Sequence, residues 1–469
     1  MTRIIVVGAG PAGVSAALRS AELGARTVLI TSGEFGGMAA NDGPIPVRTL
    51  AHAARLIRDA RQLGQYGVVV GDPALDYSRL LVRVRQVVED ARSHSSRRQD
   101  FDALGVTVHE QVGTARFFDP HTVETQSGLR FEGDAIILCT GGVERRLSIP
   151  GFELTSTHSD AWSLESVPPS MLVIGGGDTG VQVASIFNAF GSRIQLLQAG
   201  PRILPAVDED VAGEVARAFR ESGIDVRENF GAIESFEKTA SGVRMNFSKD
   251  GVRDHAEAAL AVVAVGWIAN TSGLSLAAAG IELDDRGFLK VDDYMRTSTP
   301  NVYAAGDVTG RLMLVPQALQ EGFVAATNAV QGPNLQFANA VSPVGSFTDP
   351  EYAQVGLTEA SARKTRDVLS TVVRIDAVAR AIVDGRKGGF CKLITDRKTH
   401  RMLGCHVVGE RAVDIIQLAA VAISTEMTVE DFLRIPISFP TYAGVLTRAA
   451  SATARGLNSA SQSGRSLAL

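Results

Sequence analysis

Ile4-Ile5-Val6-Val7-Gly8-Ala9-Gly10-Pro11-Ala12-Gly13 decides the fold of this chain. Its four leading apolar residues are the short continuous run of a parallel strand buried on both faces. The glycines then make a turn. Gly8 permits its tightness, Gly10 lets a pyrophosphate approach the backbone, and Gly13 lets a helix pack closely on the strand. A helical pattern runs through Leu23, and a second strand covers Thr27–Ile30. The helix N-terminus, which includes Pro11 and Ala12, offers N–H donors and partial positive charge to phosphates. A lone GxGxxG also arises for purely structural reasons. A strand before and a helix after make this one a dinucleotide fingerprint.

Outward from there, the pattern repeats. Met171-Leu172-Val173-Ile174 leads into Gly175-Gly176-Gly177-Asp178-Thr179-Gly180, a helix through Phe190 and a strand over Arg193–Leu197. Two fingerprints in one chain are far more specific than one. Between them, Ala135–Leu138 and Cys139-Thr140-Gly141 read as a strand that leaves the first unit, and Val262–Gly266 mirrors it in the second. Where the second strand of each unit ends, an acid would hold the adenosine ribose. The first unit has Thr31 and Ser32 there, whose hydroxyls bond more weakly than a carboxylate. Glu34 reads as a solvated loop charge. The second unit ends at Gln198, which neither repels nor attracts a 2′-phosphate, and Arg202 lies near enough in sequence to help one. This favours NADPH over NADH, with dual use open.

At 469 residues the chain divides into about three domains. Hydrophobic content of 45%, charge of 21% and a net charge of −5 describe an ordinary globular protein with no basic footprint for nucleic acid or anionic lipid. No apolar run is long enough to span a membrane. Residues 1–25 could pass for a signal peptide, but a phosphate-binding turn sits inside the apolar run, so export is not expected. Cys139, Cys391 and Cys405 are three scattered cysteines with no CxxC, read as buried reduced thiols and suiting a reducing cytoplasm. No metal site is expected.

Gly36-Gly37-Met38-Ala39-Ala40-Asn41-Asp42-Gly43-Pro44-Ile45-Pro46-Val47-Arg48 resembles the active-site helix of the pyridine-nucleotide disulfide oxidoreductases, usually G-G-T-C-x-x-x-G-C-I-P-S-K. Ala39 and Pro44 stand at the two cysteine positions, and neither can form the thiolate that attacks a disulfide. Thr299-Pro300-Asn301-Val302-Tyr303-Ala304-Ala305-Gly306-Asp307 resembles the family's second FAD motif, whose Asp accepts from the ribitol chain. Val315-Pro316-Gln317-Ala318 opens a helix that, by resemblance, aims its N-terminus at the flavin, with Pro316 replacing a His. The resemblance also implies FAD contacts at Gly37, Met38, Thr114 and Ala115, and a nicotinamide contact at Gly266. Its Lys–Glu pair beside the flavin is represented by Arg48 and Gln182, which should form an Arg–amide contact that keeps a positive charge there. The C-terminal H-P-T-x-S-E is Phe439-Pro440-Thr441-Tyr442-Ala443-Gly444, so the acid/base His and its Glu are absent.

The expected fold is therefore α/β, with two Rossmann-like dinucleotide-binding domains and a C-terminal α+β interface (dimerisation) domain. The expected boundaries are 1–150 and 267–340 for the FAD-binding parts, 151–266 for the NAD(P)-binding domain and 341–469 for the interface. The Ser-rich tail after Ala454 reads as loose. The expected function is a cytoplasmic, homodimeric FAD enzyme that passes electrons from NAD(P)H to a small non-disulfide acceptor such as a quinone. Phe439 and Tyr442 of a second subunit would wall the acceptor pocket. Soluble transhydrogenase is an alternative enzyme, and a flavin-binding scaffold an alternative of another class.

Overall fold

The computed structural model describes residues 1–95, 98–337 and 341–465. Arg3–Val7 lies at the middle of a five-stranded parallel sheet ordered Val302–Ala304, Ala135–Leu138, Arg3–Val7, Arg26–Ile30, Thr107–His109. Its residues Ile4 to Val7 are buried, as a strand covered on both faces requires. The second fingerprint repeats the plan: Ser170–Ile174 runs between Arg193–Gln198 and Leu260–Val263, with Asp225–Glu228 at the edge, all parallel. Each unit also carries a three-stranded antiparallel sheet. A two-stranded link, Gly142–Glu144 against Trp267–Ala269, carries the chain between the two units.

Helix Val315–Gln331 packs along helix Pro11–Glu22, and glycine decides how closely. A Cβ on Gly322 would sit 2.2 Å from the Ala12 carbonyl oxygen, and one on Gly13 would sit 1.7 Å from that of Gly8. No side chain fits at either position.

The last unit is a five-stranded antiparallel sheet, Val344–Ser346, Tyr352–Gly356, Met402–Gly409, Gly389–Asp396 and Val368–Arg374, covered by helices Ala412–Ser424 and Gly444–Arg465. The Ser-rich tail is thus not loose as far as Arg465; it continues a helix. Ala449, Ala450, Thr453 and Leu457 recur at helical spacing and are buried, which offsets the poor propensity of the serines beyond them. Tyr77–Ser95 is a further 19-residue helix, packed against helix Pro44–Gln62. Among the described residues, no helix is long and apolar enough to cross a membrane.

Candidate functional site

The first fingerprint, the helix after it and the Asp307 loop converge on a cavity of about 1730 Å³. Gly8, Gly10, Pro11, Ala12, Thr31, Ser32, Gly37, Met38, Arg48, Thr114, Ala115, Thr140, Gly141, Asp307, Val315, Pro316 and Ala318 all line it. Gly13 lies beneath, packed on Gly8. Ala39, Pro44, Asp178, Thr179 and Gln182 also face this space, so both fingerprints open onto one cavity.

Its polar groups fit FAD. The Asp307 carboxyl is half-buried, accepts no side-chain hydrogen bond among the described residues, and partial desolvation pushes its pKa up to about 6. Ribitol hydroxyls are donors that would serve a half-buried carboxylate with no side-chain partner of its own. The Thr140 hydroxyl is likewise buried without a partner. At Gly10 a Cβ would meet only the Gly37 Cα, at 3.9 Å, so the turn is open to a phosphate.

Gln317 departs from expectation. Its side chain turns away from the cavity and donates to Glu321 Oε1 at 2.8 Å, because Glu321 is itself buried and needs donors. The other Glu321 oxygen accepts from the Gly306 N–H at 2.7 Å and the Thr309 hydroxyl at 3.3 Å, so this carboxylate braces the Asp307 loop. Its distance in sequence from Gly306 concealed that role.

The expected Arg48–Gln182 contact does not form. The Arg48 guanidinium lies over the Phe347 ring, its carbon 3.4 Å from the centroid, with Glu351 contributing attraction. Burial lowers its pKa to about 10, which leaves it charged at neutral pH. Gln182 donates back to the Asp178 carbonyl at 3.0 Å, one helical turn earlier, and its carbonyl oxygen is buried without a partner. An amide can satisfy its donor on its own helix, whereas the arginine gains a desolvated aromatic face.

In the second fingerprint, Gly175 and Gly180 make the tight turn: a Cβ on Gly180 would lie 1.8 Å from the Gly175 carbonyl oxygen. Gly177 and Gly266 face open space. Gln198 accepts from the Gly176 N–H at 2.8 Å and so ties the strand end to the turn. Arg202 does not reach out for a phosphate. It donates to the carbonyls of Leu204, Pro205 and Val207 at 2.6, 3.0 and 2.9 Å, holding its own loop together. Asp178 accepts from the buried Tyr352 hydroxyl at 2.5 Å, joining this turn to the interface unit.

Tyr442 lies inside its own subunit. It is buried in the core of its own interface unit and donates to Asp384 Oδ2 at 3.2 Å, while burial raises its hydroxyl above the usual range. Phe439 is the opposite, 85% exposed on the surface. Glu34 is paired with Arg92 and is not merely solvated. The three cysteines are buried and free. Cys391 and Cys405, on neighbouring strands, bring their sulfurs to 3.8 Å. Cys139 packs against Gly13 beneath the phosphate turn, and burial pushes its thiol up.

A histidine also reaches the cavity. His158 lines it beside Asp42, Trp162 and Trp267. Its imidazole lies between two carboxylates, which nothing in the local sequence signals.

This chain belongs to the pyridine nucleotide-disulphide oxidoreductase family, which residues 2–322 match, while residues 342–450 match the family's dimerisation domain. Its cofactors are FAD and NAD(P)H, and its assembly, through that domain, a homodimer. It is 33% identical to dihydrolipoyl dehydrogenase 2 of Haloarcula marismortui over 97% of each chain. To mercuric reductase of Lysinibacillus sphaericus it is 32% identical, over 91% of this chain and 78% of that one. LpdA of Mycobacterium tuberculosis superposes with a TM-score of 0.86 at 26% identity, covering 96% of this chain and 99% of that chain. The HOCl-induced flavoprotein disulfide reductase RclA of Escherichia coli superposes with a TM-score of 0.84 at the same identity and coverage.

Proposed function

We propose that this protein carries electrons from NAD(P)H through FAD to a small non-disulfide acceptor, a quinone or similar flat ring. One observation carries the reading. Ala39 and Pro44 face the cavity at the positions where the family pattern has cysteines; Cys391 and Cys405 are buried in the interface unit, and Cys139, beneath the phosphate turn, has its thiol pushed up by burial, so none offers a thiolate at the Ala39 and Pro44 positions. Bound FAD would supply two-electron chemistry between nicotinamide and acceptor. The residues do the rest. Gly10, Asp307 and Thr140 hold the cofactor, and Arg48 keeps a fixed positive charge at the cavity wall, where it favours arriving negative charge. Met38, Ala39 and Pro44 give an apolar floor on which a ring can rest.

The test is direct. Purified protein is mixed anaerobically with NADH or NADPH and its yellow colour followed, then offered quinones, a dye, thio-NAD⁺, lipoamide, glutathione disulfide and mercuric ion. Rapid bleaching followed by quinone or dye reduction supports the reading. Turnover confined to thio-NAD⁺ would make it a transhydrogenase, and indifference to both nicotinamides a scaffold. Clear disulfide or mercuric reduction would overturn it.

A further inference from the structure

The His158 imidazole is the strongest unassigned group in the molecule. Its side chain is only 5% exposed, yet it lines the flavin cavity, and its Nε2 has no hydrogen-bond partner. Nδ1 lies 3.4 Å from Glu144 Oε1, and Nε2 lies 4.0 Å from Asp42 Oδ2. Four ångströms is too long for a hydrogen bond, so among the described residues Nε2 is a buried polar atom left without a partner, at a side chain that lines the cavity.

Ser159 Oγ sits between the two carboxylates, against Asp42 and 3.0 Å from Glu144 Oε1. It has one hydrogen and can serve only one of them. Asp160, on the same helix as His158, adds further negative charge. Burial raises the Asp42 carboxyl above its usual range, with Ser159 and His158 opposing and Glu144 and Asp160 adding. Trp267 and Trp162 flank the imidazole edge-on at 5.0 and 6.3 Å and keep water from its faces. The ring nitrogens face different carboxylates, one each. That is the arrangement of a proton carrier.

We propose that His158 is the catalytic proton donor to the electron acceptor, with Glu144 as the positioning residue on Nδ1 and Asp42 on the Nε2 side. The proposal rests on the reading above. A quinone that becomes a quinol takes a hydride equivalent, whose source is NAD(P)H, and one proton. The O–H bond forms at the quinone oxygen as the imidazolium N–H bond breaks, and the neutral imidazole recovers a proton from water. NAD(P)H is oxidised to NAD(P)⁺ and the quinone is reduced, so charge and atoms balance.

The experiment compares wild-type holoenzyme with His158→Gln on 1,4-benzoquinone, which needs a proton, and on ferricyanide, which does not. A positioned acid contributes roughly 10²–10⁴-fold, so the quinone-to-ferricyanide turnover ratio should fall about 100-fold. Glu144→Gln removes a negative charge from beside the imidazolium, so the pH above which quinone turnover declines should move down. An equilibrium readout needs no turnover: 4-nitrophenolate, a mimic of the deprotonated product, is titrated against the flavin absorbance. Its Kd should rise about tenfold or more in His158→Gln. If that variant loses FAD, the Glu144→Gln and Ser159→Ala pH profiles decide. An unchanged turnover ratio, phenolate Kd and profile would overturn the proposal, as would a stoichiometric divalent ion released by His158→Gln. Absence of wild-type quinone turnover sinks the functional reading instead, and phenolate binding then still decides whether His158 holds a proton in the cavity.

Discussion

Arg48 lies over Phe347 with 3.4 Å between the guanidinium carbon and the ring centroid, and this pair joins the cavity wall to the interface unit. A desolvated cation–π contact is worth about 2 kcal/mol. Phe347→Leu should therefore lower stability by about that amount in denaturant titration and slow bleaching by NAD(P)H, as the guanidinium loses its anchor. Arg48→Met should slow bleaching further in stopped-flow absorbance. Equal rates in both variants and the wild type would mean that the charge is remote from electron transfer.

Asp307 has a carboxyl raised to about 6 and no side-chain donor of its own. Its bound partner should favour the charged form, so FAD affinity should weaken as pH falls below about 6 and the free site takes up a proton. Asp307→Asn removes a charge-assisted hydrogen bond, worth roughly 1.5–3 kcal/mol, or about 10- to 150-fold in Kd. Equilibrium dialysis against FAD at pH 5 and pH 8 checks both effects.

Phe439 exposes 85% of its surface, unusual for so large an apolar side chain, and is expected to be covered in the homodimer. If it walls the acceptor pocket there, Phe439→Ala should raise the acceptor KM about tenfold while leaving the nicotinamide KM and the dimer intact, since an aromatic contact contributes roughly 0.5–1.5 kcal/mol beyond burial. Kinetics and light scattering on the same preparation separate this from a purely structural role.

Glu351 is held at about 7, raised by burial and then by its neighbour Glu410, with Arg55 opposing. A carboxyl raised on folding contributes stability below its unfolded value that is lost as pH climbs through 7. Glu351→Gln should therefore raise the Tm at pH 8 and change it little at pH 5. The upper bound is roughly 3 kcal/mol, from about 1.36 kcal/mol per unit. A variant less stable at pH 8 would show that the Arg55 pairing outweighs the burial cost.

Lys392 is 3% exposed and binds Asp208, Asp210 and Glu359 at 2.9, 2.6 and 2.7 Å. Burial opposes its charge, but these hydrogen bonds outweigh it and raise its pKa. Asp208 and Asp210 lie at the start of helix Glu209–Glu221, so the lysine ties the interface sheet to the second Rossmann-like unit. Lys392→Met strands the equally buried Asp208 and should cost about 3–5 kcal/mol at neutral pH. Its unfolding midpoint in urea measures the loss.

Features that depend on near neighbours along the chain are legible from the residues alone. Gly13 and Gly180 each lie so close to the carbonyl of the glycine five residues earlier, Gly8 and Gly175, that no Cβ could fit, so the spacing reveals two dinucleotide turns without any tertiary knowledge. Apolar runs such as Ile4–Val7 and Met171–Ile174 announce parallel strands for the same local reason. The cavity-lining positions of Ala39, Pro44 and Asp307 were legible through motif register.

Where side chains with several competing partners turn is settled by the folded molecule. Arg48 chose Phe347 over Gln182, Arg202 chose its own loop carbonyls, Tyr442 chose Asp384 and its own core, and Gln317 chose Glu321. Arg48 and Tyr442 turn to partners far away in sequence, whereas Arg202 and Gln317 turn to near neighbours; each choice balances desolvation against the contacts the fold makes possible. The helix through the serine-rich tail depends on an apolar stripe meeting a distant sheet. His158 shows the point most sharply: Asp42, Glu144 and Trp267 meet it from three separate segments, and only the folded chain brings two carboxylates to one imidazole.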